Sequence, residues 1–328
     1  MMPCNRPLLI CLTATRNYGW VTSAFLKANS QWADYIIVVD QMSTDGTREM
    51  CAGHKNVIIV DNTDKSYSET VRNTLAINRA REIDGDKILF GLDIDEVLPA
   101  NWQETEDGRR ILQSLPGDMF ILNWANLLPD RKHYKSSGED NMYRIFHDDG
   151  LSAYDNQGRD MHTHCLPWCN TGREHRVSDF PILHFGLYNT AFQKVKQWYY
   201  YQMVDYDKNH RSVINLSRFY RKDLPGYIPS EDRENNPEWF WADFDLFSLV
   251  DLTVEPCLWD EIHRLIEQNG ANHYRKLDIW DKGFLSKLGM ANPRNIWHRM
   301  IHSYLHATQS TRDSFIIRAL DKMLKRIV

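Results

Sequence analysis

Lys87-Ile88-Leu89-Phe90-Gly91-Leu92-Asp93-Ile94-Asp95-Glu96 is an apolar run of strand length that ends in two carboxylates spaced i, i+2. Alternate side chains of an extended backbone point to one face. The spacing therefore predicts that Asp93 and Asp95 aim together while Ile94 turns back to the core. Two carboxylates held so close repel unless a cation lies between them. A hard divalent ion, Mg²⁺ or Mn²⁺, is the usual partner, because it prefers carboxylate oxygens and keeps places for water or phosphate. The carboxyl ends of strands in open α/β sheets are also where ligands bind. A strand end capped by solvated acids is the bland alternative.

Three similar units precede this stretch. Leu8 to Leu12 reads as a buried strand that opens into the polar loop Thr13 to Gly19. Val21, Ala24, Phe25 and Ala28 then repeat at helical spacing. Tyr35 to Val39 is a second strand, ending at Asp40, and Val57 to Val60 a third, ending at Asp61. A helix carrying Val71, Leu75, Ala76, Ala80 and Ile83 leads into the opening stretch. Strands apolar throughout, alternating with amphipathic helices, predict right-handed βαβ units and a mostly parallel sheet. Residues 1–100 thus read as a Rossmann-like nucleotide-binding half. Asp40, Asp61 and Asp93 would line one rim. No G-x-G-x-x-G or G-x-x-x-x-G-K-[ST] follows the first strand. A phosphate must then be held by a metal, or by Arg16 and Arg72 as charge-assisted donors.

The 328 residues suffice for a large domain with an appendage. A net charge of −5 argues against a general nucleic-acid binder. No apolar run is long enough to span a membrane. The run after Arg6 leads into a polar loop, which fits a first strand better than a signal peptide. Six cysteines in so long a chain do not make a disulfide framework, so the expected compartment is reducing and cytoplasmic.

At this point the residues resemble a known family. Ile36 to Thr47, reading IIVVDQMSTDGT, is similar to the VVDxxSTDGT stretch of family 2 glycosyltransferases, which have the GT-A fold. Arg16-Asn17 resembles the family's first strand-end loop, with Tyr18 where many members have an acid. Val71-Arg72-Asn73, followed by Ala80, resembles its helix ahead of the metal motif, and Asp93-Ile94-Asp95 stands where the family places its D-x-D. The resemblance implies a nucleotide-sugar donor, a divalent cation and a carbohydrate or other acceptor. By position, Thr15, Arg16 and Asp40 would meet base and ribose, and Asp93 and Asp95 the ribose and the metal-bound diphosphate. Thr13, Asp45, Arg72 and Arg144 complete the candidate nucleotide-binding set. His184, at the end of a short strand, would join Asp95 and Asp93 at the metal. Most members invert at the anomeric carbon, and cell-envelope glycan synthesis is their common context.

The second half departs from the family. Relatives often carry G-x-x-H-E near the acceptor, but here His164 is followed by Cys165. Asp160 and Glu174 are the substitute candidates for the general base. The two His and two Cys within residues 161–169 do not have zinc spacing. Asp118 to Trp124, Asn141 to Phe146 and Pro181 to Gly186 read as strands, and Phe192, Val195, Tyr199 and Met203 as a helix whose aromatics fill a core. Residues 230–234, between two breakers, suggest a lid or linker. Trp259, Ile262, Leu265 and Ile266 form one helical stripe, and Trp297, Met300, Ile301 and Tyr304 another. The last helix sets Phe315, Ile316, Leu320, Met323, Leu324 and Ile327 against Arg318, Lys322, Lys325 and Arg326. A basic amphipathic helix can lie peripherally on a membrane or pack on its own domain; the second is the default.

The expected architecture is α/β: a GT-A domain over 1–225, with nucleotide-binding half 1–100 and acceptor half 101–225, and a helical C-terminal extension over 226–328. Two other functions stay open. Leu89 to Leu98 also resembles the first motif of haloacid-dehalogenase phosphatases, in which the first Asp is a nucleophile and the second a general acid. The missing G-x-x-H-E acid leaves room for a non-catalytic nucleotide-sugar binder.

Overall fold

The computed structural model describes residues 6–64, 68–136, 142–155, 164–209, 211–221, 233–241, 245–254 and 256–326. The chain forms two compact units, 1–188 with 234–254, and 189–233 with 255–328. In the first, β1 (Leu8–Thr15), α1 (Gly19–Asn29), β2 (Tyr35–Asp40), α2 (Thr47–Ala52), β3 (Val57–Asp61), α3 (Glu69–Arg81) and β4 (Lys87–Gly91) alternate. They are followed by β5 (Glu96–Val97), α4 (Glu106–Leu112), β6 (Met119–Leu122), β7 (Trp124–Leu127) and β8 (His133–Ser136). Then come β9 (Met142–His147), β10 (Glu174–Arg176) and β11 (Ile182–His184).

Among the described residues seven strands make the main sheet, in the order β10-β6-β9-β4-β1-β2-β3. The strands β3, β2, β1 and β4 are parallel neighbours, and β9 runs against its neighbours. This is a mixed α/β fold with a mostly parallel sheet flanked by helices. The apolar strands explain it. Ile10, Leu12, Ile37, Val39 and Leu89 pack with Ala76, Ile77 and Ala80 of α3 on one face. Phe90 meets Trp32 and Trp102, with ring centroids 4.5 and 5.3 Å away.

Residues 118–124, read as one strand, are divided. The chain leaves the main sheet after Leu122, and β7 begins at Trp124 in a second sheet. Asn123 lies between, its carbonyl accepting from Ile182 N at 2.8 Å. The run 119–122 is buried and Trp124 half-buried, all of them apolar, so apolar continuity cannot reveal the switch. The second sheet has the order β12-β8-β7-β11-β5, where β12 is Glu234–Asn235.

The second unit is helical: α5 (Thr190–Gln193), α6 (Gln202–Asn209), α7 (Val213–Arg221), α8 (Leu258–Asn269), α9 (Lys282–Leu288), α10 (Ile296–Ala307) and α11 (Phe315–Leu324). A wide π-helical segment, Lys194–Tyr201, joins α5 to α6 and buries Val195, Trp198, Tyr199 and Tyr200. In α10 the buried residues are His298, Ile301, His302 and Leu305, so of the expected stripe Trp297 and Met300 face outward. A polar cluster takes core positions there. His302 Nε2 lies 2.9 Å from the Lys276 carbonyl, and its Nδ1 3.4 Å from Asp278. The breaker 224–226 and most of the suggested lid, 230–232, lie outside the described residues. Among the described residues no helix is long and apolar enough to cross a membrane.

Candidate functional site

Strand register builds the rim. Thr15 of β1 pairs with Asp40 of β2, and Asp40 with Asp61 of β3. Leu92 N donates to Leu12 O at 3.0 Å, so the chain beyond β4 leaves from the same edge. The buried Asp40 carboxylate pairs with Arg48 at 3.3 Å, and Arg48 bridges on to Asp61 at 2.7 Å. Asp61 first, then Asp40, raise the Arg48 pKa above its ordinary value. Sequence reasoning passed over Arg48; its signal is its place one residue into the helix that follows the Asp40 loop. Arg16 stands half-buried at the end of β1. Arg72 donates through Nε to Gln41 Oε1 at 3.0 Å, which ties α3 to the β2 end. The buried Thr13 and Thr15 hydroxyls have no hydrogen-bond partner among the described residues.

The Ser43-Thr44-Asp45-Gly46-Thr47 segment fastens the neighbouring loop. Ser43 Oγ accepts from Asn17 N at 2.9 Å, and Thr47 Oγ1 from Tyr18 N at 2.9 Å. Asp45 accepts from Gly19 N at 2.8 Å through one oxygen, and from Thr47 N and its hydroxyl at 3.1 and 2.6 Å through the other. The start of α1 has no cap of its own, so this segment caps it from outside and satisfies amides that would otherwise be orphaned. Gly46 takes φ +89°, a left-handed conformation that suits glycine. Asn17 and Met42, at φ 59° and 56°, take it as well; for Met42 this costs about 1–2 kcal/mol.

The acidic stretch is not extended. β4 ends at Gly91, and Glu96 N donates to Asp93 O at 2.8 Å, closing residues 93–96 into a turn. Asp93 and Asp95 therefore do not share a face: their side chains are 59 % and 2 % exposed. The cause is the third acid, Glu96. Wholly buried, it accepts from Asp93 N at 3.0 Å, from Trp124 Nε1 at 2.7 Å and from Arg144 at 3.2 Å. Arg144, expected among the nucleotide-binding residues, is 2 % exposed and works inside. It donates to the Gly91 carbonyl at 3.1 Å and lies 3.1 Å from Cys165 Sγ and 3.8 Å from Asp93. Burial pulls the Arg144 pKa down, but Cys165, Glu96 and Asp93 more than offset this and hold it above its ordinary value. Burial lifts the Glu96 pKa, against the pull of Arg144. The cation beside these carboxylates is thus partly supplied by the chain.

The second sheet delivers His184. Its register sets Asn126 of β7, His184 of β11 and Glu96 of β5 side by side. Phe185 N donates to Asp95 O at 2.8 Å, which holds β11 against the turn. His184 Nε2 comes within 3.6 Å of Asp95 Oδ2. Its Nδ1 lies 2.8 Å from Asn126 Oδ1, while the Asn126 amide nitrogen donates to the Lys135 carbonyl at 3.2 Å. The carbonyl fixes which way the amide points, so Nδ1 carries a proton and donates it. In the neutral ring, Nε2 then turns its lone pair toward Asp95. A ligating histidine is held in this way, its other N–H given to an oxygen. A Cβ on Gly186 would lie 2.6 Å from Nε2, so the ring needs glycine there.

Asp95 and His184 are therefore brought together, and Asp93 is not. Among the described residues no three His, Cys, Asp or Glu side chains converge on one metal position. One carboxylate and one imidazole would supply two ligands to a cation, the rest of its shell coming from outside the chain. Of the base candidates, Asp160 lies outside the described residues. Glu174 sits on the edge strand β10, level with Met119 and, through Phe146, with Leu89 in mid-β4. Three strand spacings, roughly 14 Å, separate it from β4, so the structure does not bring it to the turn. Burial first, then the hydrogen bond that the Tyr143 hydroxyl donates to Glu174, push that hydroxyl up to about 12. Cys165, one of five free cysteines among the described residues, is pushed up to about 12 by burial.

No family model matches the chain, and no curated protein matches it. Among solved structures it is similar to glucosyl-3-phosphoglycerate synthase from Mycobacterium tuberculosis in complex with Mn²⁺, UDP and phosphoglyceric acid. The identity is 16%, over 36% of this chain and 43% of that one, with TM-score 0.28. It is also similar to S. aureus TarS, at 10% identity over 96% of this chain and 55% of that one, with TM-score 0.41. A third is the inositol-1-phosphate CTP transferase from T. maritima, at 10% identity over 54% and 89%, with TM-score 0.34. The chain spans less than half the length of the first of these. With identities and TM-scores this low, the fold rests on the strand order and register described above.

Proposed function

We propose that the chain is a glycosyltransferase. It would move a sugar from a nucleotide-sugar donor to a carbohydrate or other acceptor, with inversion, and with Mn²⁺ or Mg²⁺ held by Asp95 and His184. The observation that carries the reading is the 3.6 Å approach of His184 Nε2 to Asp95 with Nδ1 committed to Asn126. An imidazole nitrogen and a buried carboxylate that face each other can share a cation or a proton. A divalent ion bound there supplies Lewis acidity for the charge that develops on the leaving nucleoside diphosphate.

The chain's own residues have separable tasks in this reading. Thr15, Arg16 and Asp40 serve base and ribose from the rim, Arg16 and Arg72 are the charge-assisted donors to phosphate, and Thr13 completes the nucleotide-binding set. Asp45 acts through the loop it fastens. Glu96 and Arg144 hold the turn that presents Asp93 outward and Asp95 inward. The phosphatase alternative is disfavoured because its motif belongs on the first strand, whereas the turn here follows β4. The reading also includes peripheral membrane contact through α11.

The test is a thermal-shift screen of UDP-, GDP-, CMP- and dTDP-sugars with and without Mn²⁺, followed by nucleoside diphosphate release. A donor that binds the native state raises the melting temperature by mass action. Asp95→Asn and His184→Ala should each remove the Mn²⁺-dependent part of the shift and of the release. A full Mn²⁺ response in both variants refutes the assignment.

A further inference from the structure

Seven of the twelve most exposed large apolar side chains among the described residues lie on α10 and α11, which marks these two helices as a surface. On α11 only one edge of the apolar arc faces in: Asp321 is buried, with Ile317 and Leu324 half-buried beside it. Asp321 is neutralised internally by Arg218 at 2.9 Å and the Tyr304 hydroxyl at 2.9 Å. The rest of the arc is open, with Phe315 87 % exposed, and Ile316, Leu320 and Met323 exposed beside it. On α10, Ile296, Trp297 and Met300 are exposed as well.

The unpaired charge beside this arc on α11 has one sign. Arg318 pairs with Asp313 at 3.1 Å, while Lys322, Lys325 and Arg326 are exposed and make no ion pair among the described residues. An apolar arc bordered by unpaired cations is the pattern of a helix that lies in the plane of a membrane interface. A second copy of this chain on the same face would set one basic stripe against another. Anionic headgroups complement it, and a Trp beside the arc suits the interface.

We propose that α10 and α11 dock on an anionic lipid surface, with Phe315, Ile316, Leu320 and Met323 entering the headgroup boundary while Lys322, Lys325 and Arg326 meet lipid phosphates. This deepens the membrane part of the reading above and does not depend on the transferase chemistry.

The full chain is sedimented with vesicles of phosphatidylcholine alone and of phosphatidylcholine with phosphatidylglycerol. It should pellet with the mixed vesicles, poorly with the neutral ones, and less as salt screens the attraction. Lys322→Gln and Lys325→Gln should each weaken the partition about fivefold. Phe315→Ser with Ile316→Ser should abolish it with the melting temperature unchanged, since both side chains are already in water. Failure to pellet with phosphatidylglycerol vesicles, or equal pelleting with neutral ones, overturns the proposal. So does a wild-type dimer that the Phe315→Ser/Ile316→Ser pair turns into monomer, which would make the face a contact between copies. The donor-dependent thermal shift of the same preparation is read separately. Its loss with vesicle binding intact sinks the transferase reading alone.

Discussion

Two turns leave the same rim of the main sheet and are held by opposite means. The loop 41–47 is shaped by hydroxyls and one carboxylate that cap backbone amides near the surface. The turn 93–96 is shaped by a buried ion pair, Glu96 with Arg144, in the junction of two sheets. The first is a set of separable bonds, each net worth about 1 kcal/mol. The second is one unit, because removing either partner strands a buried charge. The difference teaches that the D-x-D-E stretch owes its geometry to its last acid, and that Asp93 and Asp95 are sorted outward and inward by a residue that need not touch a ligand.

The sharpest way to break this contrast is Arg144→Met. It should cost about 3–5 kcal/mol in urea unfolding, and Glu96→Gln with Arg144→Met together should recover part of the loss, as a coupled pair requires. Additive losses would show two independent residues. Next in size is Asn126→Ala, which frees His184 Nδ1. The Mn²⁺ concentration needed for the donor-dependent thermal shift should rise about 10–100-fold, with the donor-free melting temperature little changed. An unmoved Mn²⁺ titration would detach the second sheet from the site. Asp45→Ala should cost about 1–2 kcal/mol, the size of a lost helix cap; a loss as large as that of Arg144→Met would erase the distinction between the turns.

The smallest effect is in pH. Glu96 has a folded pKa above its unfolded value of about 4.3. Between those two values the folded state binds more protons than the unfolded chain, so this residue's contribution to stability is full below about pH 4.3 and falls as pH rises through the folded pKa. Asp118 behaves oppositely. Burial would raise its pKa, but Arg173, the Leu115 amide and His175 lower it, so its contribution is present above the unfolded value and lost as pH falls. Glu96→Gln should remove the first component from urea midpoints across the acid range and leave the second. An acid limb identical to wild type would mean that Glu96 titrates in the fold as it does in the unfolded chain.

Much of the fold is legible in local pattern. Four apolar strands alternating with amphipathic helices dictated the parallel order around β1, since strands buried on both faces must be covered by crossover helices. The acids at the ends of β2 and β3 and beyond β4 were legible as a rim, because strand ends of parallel units share one edge. The divided strand at Asn123, the exposure of Trp297 and Met300, and the turn at Asp93 were not. Each depends on what the segment meets from a distance in sequence: Ile182 at Asn123, Lys276 and Asp278 beside His302, and Arg144 at Glu96.

The amino-acid sequence by itself determined which segments are strands and helices and which edge carries acids, because hydrophobic periodicity and turn residues act over a few positions. Only tertiary structure decided that Asp95 meets His184 rather than Asp93. That choice belongs to a buried charge pair and to the register of a second sheet, and both compare residues dozens of positions apart, whose joint energy no local pattern contains.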